Sequence, residues 1–172
     1  MLMHQGLGLD RFNALPRARA VHALFECCCS VAWAGHLADG RPYRAHADLL
    51  TRADTELFAL SDADIEHALD CHLGVARRVD TAASRLEQCA VWAPDEATMA
   101  AVVEASTRYE TRFGYPYLWC AAGRDAADLL ADLTGRLDNS PEAERKTMAG
   151  ELAKINRIRL ERMLGPEDGY GY

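Results

Sequence analysis

The sequence contains no run of basic residues and no block of like charge. Its 19 lysines and arginines are outnumbered by 26 aspartates and glutamates, which gives a formal net charge of −7. Nucleic acids and anionic membrane surfaces are bound by clustered positive charge. The composition therefore predicts a protein with neither nucleic acid nor membrane as a partner.

Long apolar runs are also missing. No stretch approaches the roughly 20 residues that a membrane-spanning helix requires. The opening MLMHQGLGLDRFNALP lacks the basic start and the apolar stretch of a signal peptide. We therefore expect a cytoplasmic protein. Because thiols stay reduced in that compartment, the six cysteines are interpreted as thiols rather than disulfides.

β-branched residues are sparse, and no stretch alternates apolar and polar residues for long, so strands are not indicated. Apolar residues instead recur at helical spacing, as in RARAVHALFECCCSVAWAGHLA and RAHADLLTRADTELFAL. The helix-boundary signals are Ser61 with Asp64, Pro94, Gly114, and Ser140 followed by Pro141.

Only YPYLWCA interrupts the helical pattern, and it suits either an extended connector or a buried strand-like segment. The chain has 172 residues, no internal repeat and no low-complexity linker. These features predict a single all-α domain over residues 1–172, large enough for one core.

Three consecutive cysteines, Cys27 to Cys29, raise the question of a metal site. Successive residues of a helix project about 100° apart, so three in a row cannot converge on one ion. The remaining cysteines lack the paired C-x-x-C spacing of zinc sites. We interpret the three as small hydrophobic residues in a packed helix and predict no metal. His67, Cys71 and His72 could form part of a zinc site, but no complete ligand set is visible.

Two other patterns carry candidate chemistry. In SRLEQ, helical spacing places Ser84, Glu87 and Gln88 on one face. The same Ser-x-x-Glu pattern is typical of a capping box at a helix start. His72 follows a predicted helix, where a histidine is either a proton carrier, a helix cap or a surface residue.

Arg159 is the third candidate. Leu152, Ile155 and Met163 define an apolar stripe at helical spacing, and Arg159 falls within that stripe, whereas Arg157 points away from it. A buried guanidinium is costly unless it is paired, and its planar fork suits a carboxylate. The pattern predicts either an ion pair within the protein or a bound anion.

Taken together and in order, these segments resemble the family of 2-oxo-4-hydroxy-4-carboxy-5-ureidoimidazoline (OHCU) decarboxylases of urate degradation. The resemblance covers nearly the whole chain. The segments that carry it are LDRFNALPRARAVHALFECCCSVAWAGHLADGRPY, SRLEQ, YETRFGYPYLWCAAGR and RLDNSPEAERKTMAGELAKINRIRL. Each segment alone is weakly specific, but four in register are specific.

The resemblance implies an all-helical bundle of the OHCU decarboxylase type, usually a homodimer, which works without a cofactor. It implies His72 and Glu87 as catalytic residues and an anionic ureide as the substrate. The residues that it implies for substrate binding are Ser84, Gln88 and Arg159, together with Tyr117, Leu118, Trp119, Cys120 and Ala121.

One segment departs from the family pattern. The family histidine usually opens His-Pro-Arg-Ile-Gly or His-Pro-Asp-Leu-Ala, but Leu73 and Gly74 follow His72 here. Aligning Gly74 with the family glycine would place Asp70 at the catalytic position instead. We prefer His72 because the preceding Ala-Leu frame is kept. The missing proline removes a rigid backbone constraint beside this residue.

The implied chemistry is a decarboxylation that yields (S)-allantoin. Two alternatives stay open because of the altered segment. The protein could act on a different small carboxylate or ureide in a specialised pathway, or it could be a catalytically weak relative that binds a partner enzyme.

Overall fold

The computed structural model describes residues 6–70, 96–120 and 124–166. Eight α-helices lie in these ranges and no strand does, so the prediction of an all-α protein is confirmed. The helices are α1 (Leu9–Ala14), α2 (Arg17–Cys28), α3 (Val31–Asp39), α4 (His46–Phe58), α5 (Asp62–Asp70), α6 (Glu96–Phe113), α7 (Ala126–Arg136) and α8 (Pro141–Leu164). None of these helices is long and apolar enough to cross a membrane.

The chain forms two compact units. The first comprises Met1–Ala68 with Ala153–Tyr172, and the second comprises Leu69–Leu152. The boundary between residues 152 and 153 falls within α8. The expectation of a single domain over residues 1–172 stays a prediction.

In the first unit, the predicted helical stretch around the cysteines is divided into α2 and α3. Cys29 adopts a left-handed conformation with φ of 57°, and its N–H donates to the carbonyl of Phe25, which ends α2. Ser30 begins the next helix, because its hydroxyl accepts from the N–H of Trp33. Trp33 is fully buried and donates its indole N–H to the carbonyl of Ala53 in α4.

The Arg-Pro-aromatic turn after α3 ties helix ends together. Arg41 donates to the carbonyls of Phe12 and Leu15 at the end of α1, at 2.9 and 2.7 Å. It also donates to the carbonyl of Ala38 in the last turn of α3, at 2.9 Å. These contacts add hydrogen bonds to carbonyls at helix ends, where intrahelical partners run out. This turn is therefore part of the scaffold.

The start of the described chain closes the end of α8. Backbone N–H groups of residues 6–8 donate to the carbonyls of residues 162–164, at 2.7 to 3.1 Å. Those three carbonyls lie in the last turn of α8 and have no partner within that helix. The contact explains why both ends of the described chain belong to the first unit.

In the second unit, a connector joins α6 to α7. Gly114 adopts a φ of +82°, a conformation that favours glycine, and ends α6 as predicted. The next residues, 115–120, have no regular secondary structure, and most of their side chains are buried. YPYLWCA is therefore a buried connector over its described residues.

The predicted signals at Ser61 and Ser140 are also confirmed. The Ser61 hydroxyl accepts from the N–H of Asp64, and the Ser140 hydroxyl accepts from the N–H of Ala143. Pro94 lies outside the described residues.

Candidate functional site

The predicted site residues divide into two groups. The first group lies outside the described residues and consists of His72, Ser84, Glu87, Gln88 and Ala121. The neighbouring residues Cys71, Leu73 and Gly74 also lie outside them. Tyr117 to Cys120 lie in the connector of the second unit, and Arg159 lies on α8 within the first unit. Asp70, the alternative to His72, is the last residue of α5.

The backbone of the connector is held from two sides. Arg136 of α7 donates from Nη1 to the carbonyl of Leu118, at 2.8 Å. The N–H of Cys120 donates to Oε2 of Glu151 on α8, at 2.8 Å. These bonds fix the orientation of the peptide groups on either side of Trp119. Any backbone contact between this segment and a ligand would therefore start from an ordered arrangement.

Arg136 belongs to a buried ion pair with Glu144. The two side chains are 5% and 0% exposed, and Nε and Nη2 of Arg136 donate to Oε1 of Glu144 at 2.8 and 2.5 Å. The hydroxyl of Tyr109 donates to the same oxygen. Asn139 donates to Oε2 at 2.7 Å. The carboxylate is therefore satisfied on both oxygens, as a buried charge requires.

Tyr117 fixes the connector against the same arginine. Its hydroxyl donates to Oδ2 of Asp132 at 2.5 Å, and the guanidinium of Arg136 lies 4.7 Å from its ring centroid. Burial and the bond to Asp132 raise the pKa of Tyr117. Burial and the bond to Glu144 likewise raise the pKa of Tyr109. Both tyrosines therefore stay protonated donors throughout the physiological range.

Trp119 is buried in the same connector. Its indole N–H has no hydrogen-bond partner among the residues that the structure describes. The guanidinium of Arg124 lies 5.3 Å from the centroid of its ring. A buried tryptophan usually places its N–H against an acceptor. The indole N–H is thus a candidate donor to a bound acceptor.

Arg159 contacts the segment that contains the consecutive cysteines. Its side chain is half-buried, and Nη1 donates to the carbonyl of Cys27 at 3.2 Å. Cys27 lies in the last turn of α2, where unpaired carbonyls favour a positive charge. Leu152, Ile155 and Met163 are buried, which confirms the predicted apolar stripe.

The cysteine side chains themselves pack. Cys27 and Cys28 are buried in the core, which confirms the predicted packing role for these two residues, and Cys29 is half-buried at the helix end. Burial raises the pKa of the Cys27 thiol to about 12, although the positive charge of Arg159 opposes the shift. No group of three or more potential metal ligands occurs among the described residues.

Arg157 takes a different partner from Arg159. Its Nε and Nη2 donate to Oδ2 of Asp54 on α4, at 2.9 and 2.5 Å. The Arg157 side chain is 42% exposed. The residue joins α8 to α4 at the edge of the first unit, which the sequence pattern did not indicate.

A model of the OHCU decarboxylase family matches residues 13–161 of the chain. The chain belongs to the OHCU decarboxylase family. The match includes the scaffold turn at Arg41, the connector and Arg159.

Named relatives are similar at the sequence level. The 2-oxo-4-hydroxy-4-carboxy-5-ureidoimidazoline decarboxylase of Mus musculus is 31% identical over 132 residues, which is 73% of this chain and 74% of that protein. The protein of the same name from Amia calva is 31% identical over 129 residues, covering 71% and 74% of the two chains.

Solved structures are similar in fold. A crystal structure of OHCU decarboxylase in the presence of (S)-allantoin matches with a TM-score of 0.73 at 23% identity, and the match covers 81% of this chain and 95% of that one. A crystal structure of (S)-allantoin synthase matches with a TM-score of 0.71 at 14% identity, covering 91% and 54%. At these identities the likeness establishes the fold.

Sequence reasoning missed Arg136, Glu144 and Glu151, which support the family's aromatic segment. A signal for Arg136 was present, since Leu129, Leu133 and Arg136 recur at helical spacing in the same way as the stripe around Arg159. Glu144 and Glu151 lie in a charged segment, where acidic residues ordinarily face solvent. Their burial depends on partners from distant parts of the chain.

Proposed function

We propose that the protein is a cofactor-independent decarboxylase that converts OHCU to (S)-allantoin. The observation that carries this proposal is the family match over residues 13–161. The relatives of that name, about 31% identical over nearly three quarters of the chain, support it.

The chemistry suits a protein that supplies only binding and a proton. Loss of CO₂ from the substrate leaves an electron pair that the ring carbonyl and the C=N bond can delocalise. Protonation of one face of that carbon then gives a single enantiomer of the product. Because the substrate contains its own electron sink, the reaction requires neither pyridoxal phosphate nor a metal.

We assign the proton transfer to His72, whose ordinary pKa lies near neutrality. Glu87 and Gln88 orient the hydroxyl and ureido groups, with Ser84 assisting. The family resemblance is the support for these roles. Leu73, in place of the usual proline, leaves the backbone beside His72 less constrained.

Arg159 and the connector bind the substrate in this proposal. The half-buried guanidinium of Arg159 suits an anionic or carbonyl oxygen. The ordered peptide groups around Trp119 and its buried indole N–H supply polar groups to an amide-rich ligand. The residues from Tyr117 to Ala121 line the site in this assignment.

We further propose that the protein is a cytoplasmic homodimer, as the family resemblance suggests. The alternative of a different small carboxylate or ureide substrate rests on Leu73 and Gly74. A catalytically weak binding partner is the third possibility.

Supplying freshly generated OHCU and following allantoin by circular dichroism separates these functions. The proposal predicts a dichroic signal that grows in proportion to protein concentration. Turnover of another ureide without OHCU turnover would favour the second function. Binding of the enzyme that produces OHCU, without any turnover, would favour the third.

A further inference from the structure

Asn156 of α8 is buried, but the hydrogen-bonding groups of its side-chain amide are not satisfied by the described residues. It is 2% exposed, and neither Oδ1 nor Nδ2 has a hydrogen-bond partner among the residues that the structure describes. A buried polar group without a partner destabilises the folded state, and native proteins contain few of them. Asn156 leaves both a donor and an acceptor in that condition.

A second asparagine in the same unit shows the usual arrangement. Nδ2 of Asn13 donates to the carbonyl of Tyr43 at 2.8 Å, and Oδ1 accepts from the N–H of Tyr43 at 2.9 Å. Asn13 therefore pairs its side-chain amide with a backbone amide on both atoms. Asn156 has the same donor and acceptor, but no described backbone amide forms hydrogen bonds with them.

The position of Asn156 relates it to the arginine of the family pattern. Asn156 precedes Arg159 by three residues, so the two side chains share one face of α8. Both belong to the first unit, where Arg159 is partly accessible. This face therefore offers a cation and an unpaired amide one turn apart.

The chemistry of the proposed substrate matches both groups. OHCU carries a carboxylate and also a ureido group, in which N–H donors adjoin a carbonyl acceptor. A guanidinium suits the anion, whereas a side-chain amide pairs with an adjacent N–H and C=O in two hydrogen bonds. Asn13 makes this pairing with the backbone of Tyr43.

We propose that Asn156 binds an amide unit of the substrate beside Arg159 and so favours ureido compounds over simple carboxylates. This proposal rests on the proposed decarboxylase function and adds a specificity-determining residue to it. The ligand supplies the hydrogen bonds that the ligand-free protein lacks.

The test compares Asn156→Ala and Asn156→Asp with Asn13→Ala as the matched control. We expect Asn156→Ala to keep or raise the melting temperature of the ligand-free protein, because it removes an unsatisfied amide. Asn13→Ala should lower that temperature, since it leaves the backbone groups of Tyr43 unpaired. This contrast distinguishes a ligand-binding asparagine from a structural one.

In kinetics, Asn156→Ala should show the larger defect and Asn13→Ala the smaller one. Loss of two neutral hydrogen bonds should raise the KM of Asn156→Ala about tenfold or more, with kcat changed much less. Asn156→Asp keeps the size but replaces the donor by an acceptor, so its KM should rise at least as much. Asn13→Ala should leave KM near that of the wild type.

Calorimetric binding of (S)-allantoin, which carries the same ureido group, gives a readout that is independent of turnover. If (S)-allantoin binds to the wild type and Asn156→Ala weakens this binding, the proposal is supported even without turnover of OHCU. Absence of OHCU turnover in that case would refute the proposed function alone. An unchanged KM and allantoin affinity in Asn156→Ala, or a melting temperature lowered as in Asn13→Ala, would overturn the proposal. Absence of both turnover and allantoin binding in the wild type would refute it together with the proposed function.

Discussion

The side chains of Arg159 and Arg157 extend from the same helix in different directions and contact different partners. Arg159 donates to the carbonyl of Cys27, and Arg157 pairs with Asp54. Arg159→Lys keeps the charge but loses the planar fork, so we expect KM for OHCU to rise about tenfold while the fold persists. Arg157→Lys should change KM little. Steady-state kinetics of both variants give the answer, and a larger effect at Arg157 would contradict the assignment.

Cys29 occupies a backbone conformation that favours glycine. Its φ of 57° lies in the left-handed region, which costs an L-residue about 1 kcal/mol. Cys29→Gly should therefore have a higher free energy of unfolding than Cys29→Ala, by about 1 kcal/mol. Denaturant unfolding of the two variants measures this difference. If the alanine variant is equally stable, the left-handed turn is not strained.

The raised pKa of Cys27 predicts how stability depends on pH. The folded protein holds the proton up to a pKa of about 12, whereas the unfolded chain releases it near the ordinary value. The folded state therefore binds more protons above that ordinary value, so stability falls as pH rises toward about 12. Cys27→Ala should reduce this fall in unfolding experiments at alkaline pH. An identical pH slope in the variant would contradict the burial of the thiol.

At the scale of elements, the connector depends on the buried pair of Arg136 and Glu144. Arg136→Met leaves the carboxylate buried and unpaired, and we expect a loss of about 3–5 kcal/mol in the free energy of unfolding. Lys146→Met, which removes the exposed pair with Glu142 on the same helix, should have little effect.

The same variants test whether the pair orders the connector. Trp119 fluorescence should change in Arg136→Met under native conditions, because the variant also loses the bond to the carbonyl of Leu118. It should stay as in the wild type in Lys146→Met. If Arg136→Met is destabilised but its Trp119 fluorescence is unchanged, the ion pair stabilises the fold without ordering the connector.

Helix boundaries with local chemical signals could be predicted from the sequence. Ser61, Gly114 and Ser140 act through their own side chain or backbone freedom, and all three were identified. The break at Cys29 could not be predicted, because a cysteine carries no preference for a left-handed turn. Local sequence therefore predicts an element end only where the residue itself favours it.

The site was less predictable for a related reason. Helical phase identified the stripe around Arg159, but one of its partners, the carbonyl of Cys27, is 132 residues away in the sequence. The partners of Glu144 and Glu151 likewise come from other helices and from the connector. The roles of His72, Ser84, Glu87 and Gln88 stay predictions from the family resemblance.

At the scale of the whole molecule, the fold is maintained at low sequence identity. The crystal structure of OHCU decarboxylase in the presence of (S)-allantoin superposes with a TM-score of 0.73 at 23% identity. The scaffold contacts of Trp33 and Arg41 are made largely to backbone carbonyls, which any sequence supplies. Such a fold can tolerate extensive substitution while a few polar side chains determine the chemistry.

We propose that this protein decarboxylates OHCU through a proton delivered by His72. The most direct measurement is the initial rate of dichroic allantoin formation for the wild type and His72→Asn, with Asp70→Asn and a protein-free solution as controls. We expect His72→Asn to lose about 10²- to 10⁴-fold in rate and to stay folded, while Asp70→Asn stays near the wild type. Near-normal turnover in His72→Asn, with turnover lost in Asp70→Asn, would contradict it.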